Sequence, residues 1–159
     1  MTTRLSKPYL FTTVATMVVL PGVSILMGLN RGADVWLLIG KWFVFWAIGV
    51  RLTLAGVRQA AQPGFTAQEI FNLTGTESHV VVRELGFSNL CLGLTGIASL
   101  MLPTWRPAVA FCGGLYFGIA GMLHVVKGAA TANERLALWS DLLLFVIVAV
   151  YLIRNIAIG

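Results

Sequence analysis

Five long apolar runs, separated by short polar stretches, organise the chain. Each run holds roughly 20 residues, enough for a helix to cross the hydrocarbon of a bilayer. The pattern predicts spanning helices at 9–29, 35–57, 80–102, 108–127 and 136–156. A further short helix, at about 67–73, is predicted to lie in the interface, since its apolar side chains can face lipid. The sequence therefore predicts an all-α fold, a polytopic transmembrane helical bundle.

Local signals predict how some of these helices begin and bend. Thr66-Ala67-Gln68-Glu69 has the pattern of a capping box, so it should open the interfacial helix. That helix is either a lid or collar over the bundle or a simple surface connection. Pro21-Gly22 predicts a kink in the first span. This span follows basic residues as a signal peptide does, but its length and the lack of a small-x-small cleavage site favour a retained helix.

Composition places the whole chain in a membrane. Of its 159 residues, 58% are apolar and 11% are charged, whereas soluble domains carry about 25% charged residues. No linker or low-complexity tract divides the chain, so residues 1–159 are predicted to form a single transmembrane domain. The net charge of +5 comes from scattered Lys and Arg at the edges of apolar runs. Membrane lipids are therefore the expected partners, and nucleic acid is not.

Several kinds of chemistry leave no trace in the sequence. Cys91 and Cys112 lie in different apolar runs without a C-x-x-C spacing, and we expect buried structural thiols. The histidines and carboxylates lack metal-ligand spacing, so no metal site is predicted. We find no Ser-His-Asp order, phosphate loop or nucleotide fingerprint. Whether the protein is an enzyme, and which cofactor it would use, stays open.

Glu84 is the residue on which the site hypothesis depends. It lies beside Arg83 in the third apolar run, where an ionisable side chain costs a few kcal/mol, of the order of 3, unless it is paired or faces water. Helical spacing puts small and polar residues on the same face, namely Ser88, Cys91, Thr95 and Ser99. This face either packs against another helix or lines a cavity that runs inward from Glu84.

Alternating helix direction brings the polar residues of different spans to one side of the membrane. The residues predicted at this level are Arg51, Arg58, His79, Arg83, Glu84, His124, Lys127 and Asp141. Arg51 could extend to the interface or pair with Glu84 or Asp141, and His124 could then bond the remaining carboxylate. The cluster is either a salt-bridged clamp that fixes helix order or a pocket that binds a ligand or handles protons.

The distribution of basic residues predicts the orientation. Most Lys and Arg that flank the spans lie on the side of the amino terminus. The positive-inside rule makes that side cytoplasmic, with the carboxyl terminus outside.

Glycines indicate where helices approach one another. In the third span, Gly93 and Gly96 form a smooth strip, and in the fourth, Gly114 and Gly118 have the G-x-x-x-G spacing, with Gly121 following. Such positions allow close contact within the bundle or between protomers, so a homo-oligomer is possible.

The segment Glu84-Leu85-Gly86-Phe87-Ser88-Asn89-Leu90, with Gly93 and Gly96 after it, resembles one found in small bacterial integral-membrane proteins allied to the DoxX-like group. The similarity extends from about Phe45 to the carboxyl terminus. It implies a bacterial inner-membrane location and that Glu84, Asn89, His124 and Asp141 belong together. DoxX-like proteins are usually four-helix bundles, whereas this chain has five predicted spans.

Two functions follow as hypotheses. In the first, an intramembrane pocket near the cytoplasmic side, with Glu84, His124, Asp141, Arg51, Asn89 and His79 as candidates, binds or protonates a lipid-like or quinone-like molecule. In the second, the chain is a non-catalytic accessory or structural subunit of a larger membrane complex. A polar cavity beside Glu84 would favour the first hypothesis, and an exposed interaction face would favour the second.

Overall fold

The computed structural model describes residues 5–71 and 73–158. Five of its helices are long and apolar enough to cross a membrane. They are α1 (Lys7–Leu29), α2 (Val35–Ala61), α3 (Ser78–Ala98), α4 (Arg106–Lys127) and α5 (Ala132–Ile158). The described residues form no strand, so the predicted all-α helical bundle is confirmed. Apolar side chains cover much of its outer surface, as a protein surrounded by lipid requires.

The helix ends follow local signals. Asp34 caps α2, because its carboxylate accepts hydrogen bonds of 2.9 Å from the amides of Trp36 and Leu37. Gly128 ends α4 at a φ of 71°, a backbone conformation that side chains with a Cβ rarely adopt. A 3₁₀ turn, Pro103–Trp105, leads into α4. The predicted spans therefore recur with shifted ends: α2 continues to Ala61 instead of ending at 57.

The first turn of α5 is a capping box that lies before the span predicted at 136–156. The Glu134 amide donates to the Thr131 hydroxyl at 3.1 Å, and the Glu134 carboxylate accepts from the Thr131 amide at 2.8 Å. Next to it, the buried Asn133 accepts a hydrogen bond of 2.9 Å from the Ser6 amide. This contact ties the beginning of α1 to the beginning of α5.

Two spans contain π-helical stretches, Ala15–Val19 in α1 and Phe43–Val50 in α2. The first lies directly before Pro21, which has no amide hydrogen for the carbonyl four residues earlier. The sequence predicts a kink at Pro21-Gly22, and the structure has this π-helical stretch shortly before that position. The second stretch ends immediately before Arg51.

Close contact between α2 and α3 depends on glycine. Gly49 faces Gly96, and Gly56 faces Gly86, so a Cβ at any of these positions would meet backbone atoms of the other helix. Gly93 packs in the same way against Thr53. Gly93 and Gly96, which the sequence predicts to serve helix packing, both lie at this contact.

The glycines of α4 pack inside the chain. Gly114, Gly118 and Gly121 lie against Val148, Phe145 and Leu142 of α5, respectively. Of the two alternatives for the G-x-x-x-G spacing, packing within the bundle is therefore the one observed. The fully buried core lies between these helices and α2, around Val44, Ile48, Leu144 and Val148.

The region predicted as an interfacial helix folds over the bundle. Its helical residues are Pro63–Phe65 and Thr66–Ile70, which together with Phe71 we call the cap segment. Thr66 and Ala67 are buried, so the segment is a collar and not a simple surface connection. Thr66 lies inside the helical region and shows no capping hydrogen bond to a described residue. The side chain of Glu69, and with it the predicted capping box, and residue Asn72 lie outside the described part of the chain.

Candidate functional site

A cavity of about 210 Å³ lies between the five spans under the cap segment. Each of the five spans contributes to the wall of this cavity. In chain order, these residues are Thr13 and Thr16 of α1, Arg51 of α2, Asn89 of α3, His124 of α4 and Asp141 of α5. Phe65, Thr66, Ile70 and Phe71 of the cap segment cover it. The cavity lies toward the amino-terminal side of the bundle, because α1, α3 and α5 contribute residues near their beginnings and α2 and α4 residues near their ends.

An ion pair forms one wall. Arg51 donates through Nη2 to Asp141 Oδ1 at 2.9 Å and to the Ser140 hydroxyl at 2.8 Å. Its guanidinium also lies 4.9 Å from the centre of the Phe117 ring, and Nη1 lies 3.4 Å from the Met17 sulfur. The Arg51 and Asp141 side chains are only 12% and 9% exposed, so this pair is largely removed from water. Each charge compensates the other in a region of low dielectric.

The local backbone helps to place this pair. Met17 lies within the π-helical stretch of α1, and Arg51 follows the π-helical stretch of α2. A π-turn holds an extra residue, so it rotates the side chains that follow relative to a regular helix, and such turns are frequent at functional sites. The two irregular stretches therefore meet at the arginine side chain.

A second polar pair lines the same cavity. Asn89 Nδ2 donates to Gln59 Oε1 at 2.7 Å, and Asn89 is 2% exposed while Gln59 is 8% exposed. The other polar atom of the amide, Asn89 Oδ1, is buried and accepts no hydrogen bond from any described residue. A buried acceptor without a partner is unusual in native proteins, since an unmade hydrogen bond costs about 1–3 kcal/mol.

Aromatic and basic side chains line the rest of the cavity wall. Tyr9 lies beside Arg51 and Thr13, and Tyr116 lies beside Asn89. Nearer the cap, the Arg58 guanidinium stacks 3.5 Å from the centre of the Phe65 ring. The site thus combines apolar walls with a few convergent polar groups, as small-molecule sites do.

A second cavity of about 250 Å³ adjoins the first. The two share residues of the cap segment, α3 and α4, namely Ile70, Phe71, Leu85, Tyr116, Ala120 and His124. Its outer wall includes Ile119 and Leu123, whose side chains are 69% and 49% exposed on the surface that lipid would cover. The polar cavity therefore continues sideways, between α3 and α4, toward the surrounding hydrocarbon.

The structure brings together four of the six candidate residues. Arg51, Asn89, His124 and Asp141 line one cavity, and of the two partners considered for Arg51 the observed one is Asp141. His79 lies beside Gly64 of the cap segment and lines neither cavity.

Glu84 does not take the expected position. It is exposed, it lines neither cavity, and it forms no ion pair with a described residue. The expected pairing of a second carboxylate with His124 is therefore not found. The reason is rotation about α3: Leu85 and Asn89 face the bundle, so Glu84 and Ser88 point outward. The predicted inward cavity along the face of Glu84 is corrected accordingly.

The outward face of α3 also explains why the prediction for the cysteines was wrong. Cys91 continues the outward face of Glu84 and is exposed, as is Cys112 on α4, although both were expected to be buried. Only Ser99 on the predicted polar stripe is buried, and its hydroxyl donates to the Gly96 carbonyl at 2.7 Å.

Sequence reasoning missed Gln59, Tyr116 and Ser140. Gln59 was assigned to a loop because α2 was expected to end at 57. A signal was present, since Arg51, Ala55 and Gln59 recur at intervals of four residues and so share one helix face. Among the described residues, no three His, Cys, Asp or Glu side chains are close enough to hold a metal ion.

A protein-family model matches residues 8–157, nearly the whole chain. The chain belongs to the family of unknown function DUF6790. No curated protein matches it. No solved structure matches it either. The resemblance to the DoxX-like group stays a prediction.

Proposed function

We propose that this DUF6790 protein binds, and through His124 can protonate, a lipid-like or quinone-like small molecule in the cavity between its five spans. The observation that carries the proposal is the cavity itself, which combines a buried ion pair, an unpartnered amide oxygen and a sideways apolar extension. A purely structural clamp would need the ion pair but not the unfilled space beside it. An apolar cavity next to polar groups suits a molecule that partitions into the bilayer.

The proposal includes the location of the protein. More Lys and Arg flank the spans on the amino-terminal side than on the opposite side: Arg4, Lys7, Arg58, Arg83, Lys127 and Arg135 against Arg31, Arg106 and Arg154. The positive-inside rule then favours a cytoplasmic amino terminus in a bacterial inner membrane, with the cavity near the cytoplasmic leaflet.

Native mass spectrometry in mild detergent tests the proposal. Ala120 lies where the two cavities adjoin, so Ala120→Leu would fill the space that a ligand needs. We expect the wild-type protein to carry a small molecule that Ala120→Leu loses while its helical circular dichroism is retained. Ala108→Leu, at an exposed position of the same helix outside both cavities, is the matched control and should keep the molecule.

Glu84→Gln provides a second control. Because Glu84 is exposed outside the cavity, this variant should retain the ligand, although the sequence alone made Glu84 the leading candidate. Bound ligand that survives Ala120→Leu would refute the proposed cavity.

One observation favours a second function, that of an accessory subunit in a larger complex. Arg83 and Glu84 are both exposed within a span, and an outward carboxylate at that level would be stabilised by a neighbouring membrane protein. A partner that copurifies with the wild-type protein and is lost from Glu84→Gln would support this alternative.

A further inference from the structure

The unpartnered oxygen of Asn89 defines what the ligand must supply. Asn89 is 2% exposed and lines the cavity, while its Nδ2 is already held by Gln59. Oδ1 can only accept a hydrogen bond, so the group that completes it must be a donor. Carboxylate and phosphate oxygens without a proton cannot meet this need.

The charges around the cavity restrict the donor further. Arg51 is neutralised by Asp141, but Arg58 pairs with no described carboxylate and stacks on Phe65 instead. Among the described residues of the wall, Arg58 is therefore a positive charge that no carboxylate balances. An ammonium group would be repelled there, and burying its charge would be unfavourable as well. An uncharged donor fits both constraints.

The second cavity indicates where the rest of the molecule lies. It leads from Ala120 and His124 past Leu85 to the exposed side chains of Ile119 and Leu123. The lining of the second cavity is apolar, apart from the Tyr116 hydroxyl and an edge formed by His124, Lys127 and Glu134. A hydrocarbon chain can leave the polar cavity along this route and remain in contact with apolar surface throughout.

We propose that the ligand is an uncharged amphiphile whose hydroxyl group donates a hydrogen bond to Asn89 Oδ1 and whose apolar chain leaves between α3 and α4. This inference rests on the proposed function, of which it specifies the ligand class. A hydroxyl both donates and accepts, so it also satisfies the Asn89 amide if that group turns over.

Four probes of equal chain length test the inference: dodecan-1-ol, its methyl ether, dodecanoate and dodecylammonium. Each is added at the same mole fraction of detergent, at a pH where the last two are charged, to protein freed of copurified molecules. Binding is followed by native mass spectrometry and by the rise in melting temperature. We expect the alcohol to bind at least about fivefold more tightly than the ether, because only the alcohol can donate to the buried acceptor.

Two variants identify the acceptor. Asn89→Leu keeps the approximate volume and removes the oxygen, so the preference for the alcohol over the ether should disappear. Ser99→Ala is the matched control: Ser99 is also buried on the α3 side but lines neither cavity, and the preference should remain. If Asn89→Leu fails to fold, the comparison of alcohol and ether in the wild-type protein still decides whether the cavity requires a hydroxyl donor.

The outcomes separate the two proposals. Failure of all four probes to bind would count against the proposed function itself. Binding in which the ether, the carboxylate or the ammonium equals or exceeds the alcohol would leave the cavity as a binding site and overturn the hydroxyl donor.

Discussion

Arg51 lies ten residues from the end of α2, about 15 Å along the helix, and its charge is balanced there by Asp141. A charge at that depth without a partner would be strongly unfavourable. The Arg51–Asp141 pair is tolerated because the two opposite charges are hydrogen-bonded to each other. Ser140 adds a further acceptor for the guanidinium. Stability at this position therefore depends on the two residues being present together.

Double-mutant analysis of Arg51→Met and Asp141→Leu tests this dependence. Each single substitution should lower the free energy of unfolding by about 3–5 kcal/mol, because it leaves one buried charge uncompensated. The double variant should lose clearly less than the sum of the two. Unfolding in mixed detergent micelles, followed by circular dichroism, measures the three values.

Arg31→Met is the control for that experiment. Arg31 is exposed in the turn after α1, so its removal should change stability by no more than about 0.5 kcal/mol. Additive effects of the two cavity substitutions would show that Arg51 and Asp141 do not act as a pair.

At the level of helices, the crossing of α2 and α3 is set by backbone contact. Gly49 and Gly96 approach so closely that no side chain fits between them, and Asn89 and Gln59 meet because the two helices run together. The packing of glycines thus positions a polar pair of the cavity as well as the helices.

Gly96→Ala should disturb this crossing. The added Cβ would lie 2.7 Å from Gly49 Cα and 2.9 Å from Gly49 N, neither of which can move without shifting a helix. We expect the free energy of unfolding to fall by about 1–3 kcal/mol, the usual effect of overpacking, as measured by the same unfolding assay.

Gly22→Ala provides the contrast. A Cβ at Gly22 would meet nothing within 4 Å, so the substitution should be neutral or stabilise α1 by up to about 1 kcal/mol. Equal effects of the two substitutions would mean that helix propensity, and not the close crossing, governs Gly96.

For the whole molecule, the prediction concerns its orientation in the membrane. The proposed topology places the amino terminus and the connection around Gly128 in the cytoplasm and the carboxyl terminus outside. Alkaline phosphatase, which is active only outside the cytoplasm, should be active when fused after residue 159 and inactive when inserted at Gly128. The opposite pattern would place the cavity near the outer leaflet.

The sequence is most informative where its pattern of apolar residues is long and repeated. Apolar runs of membrane-spanning length predict five helices because a bilayer admits few other structures, and short polar connections then imply alternating directions. Their expected convergence on one level grouped Arg51, His124 and Asp141, and in the structure these three residues line one cavity. Asn89 joined them through the family resemblance alone.

The failures concern rotation about the helix axis. Glu84 and Asn89 lie five residues apart on α3, yet one is exposed and the other is 2% exposed. In a span that is apolar on every side, the sequence has little amphipathic asymmetry to say which face is inward. The π-helical stretches before Pro21 and Arg51 add a further rotation that periodicity does not predict.

The sequence by itself determined that the protein is an all-α bundle with five helices long and apolar enough to cross a membrane, because the length and hydrophobicity of each run are read directly from the chain. Only the tertiary structure decided which polar groups meet, since that depends on close glycine crossings, on wider turns and on the folding of the cap segment over the bundle. The pairing of Arg51 with Asp141, the outward position of Glu84 and the unpartnered oxygen of Asn89 all arise at that level.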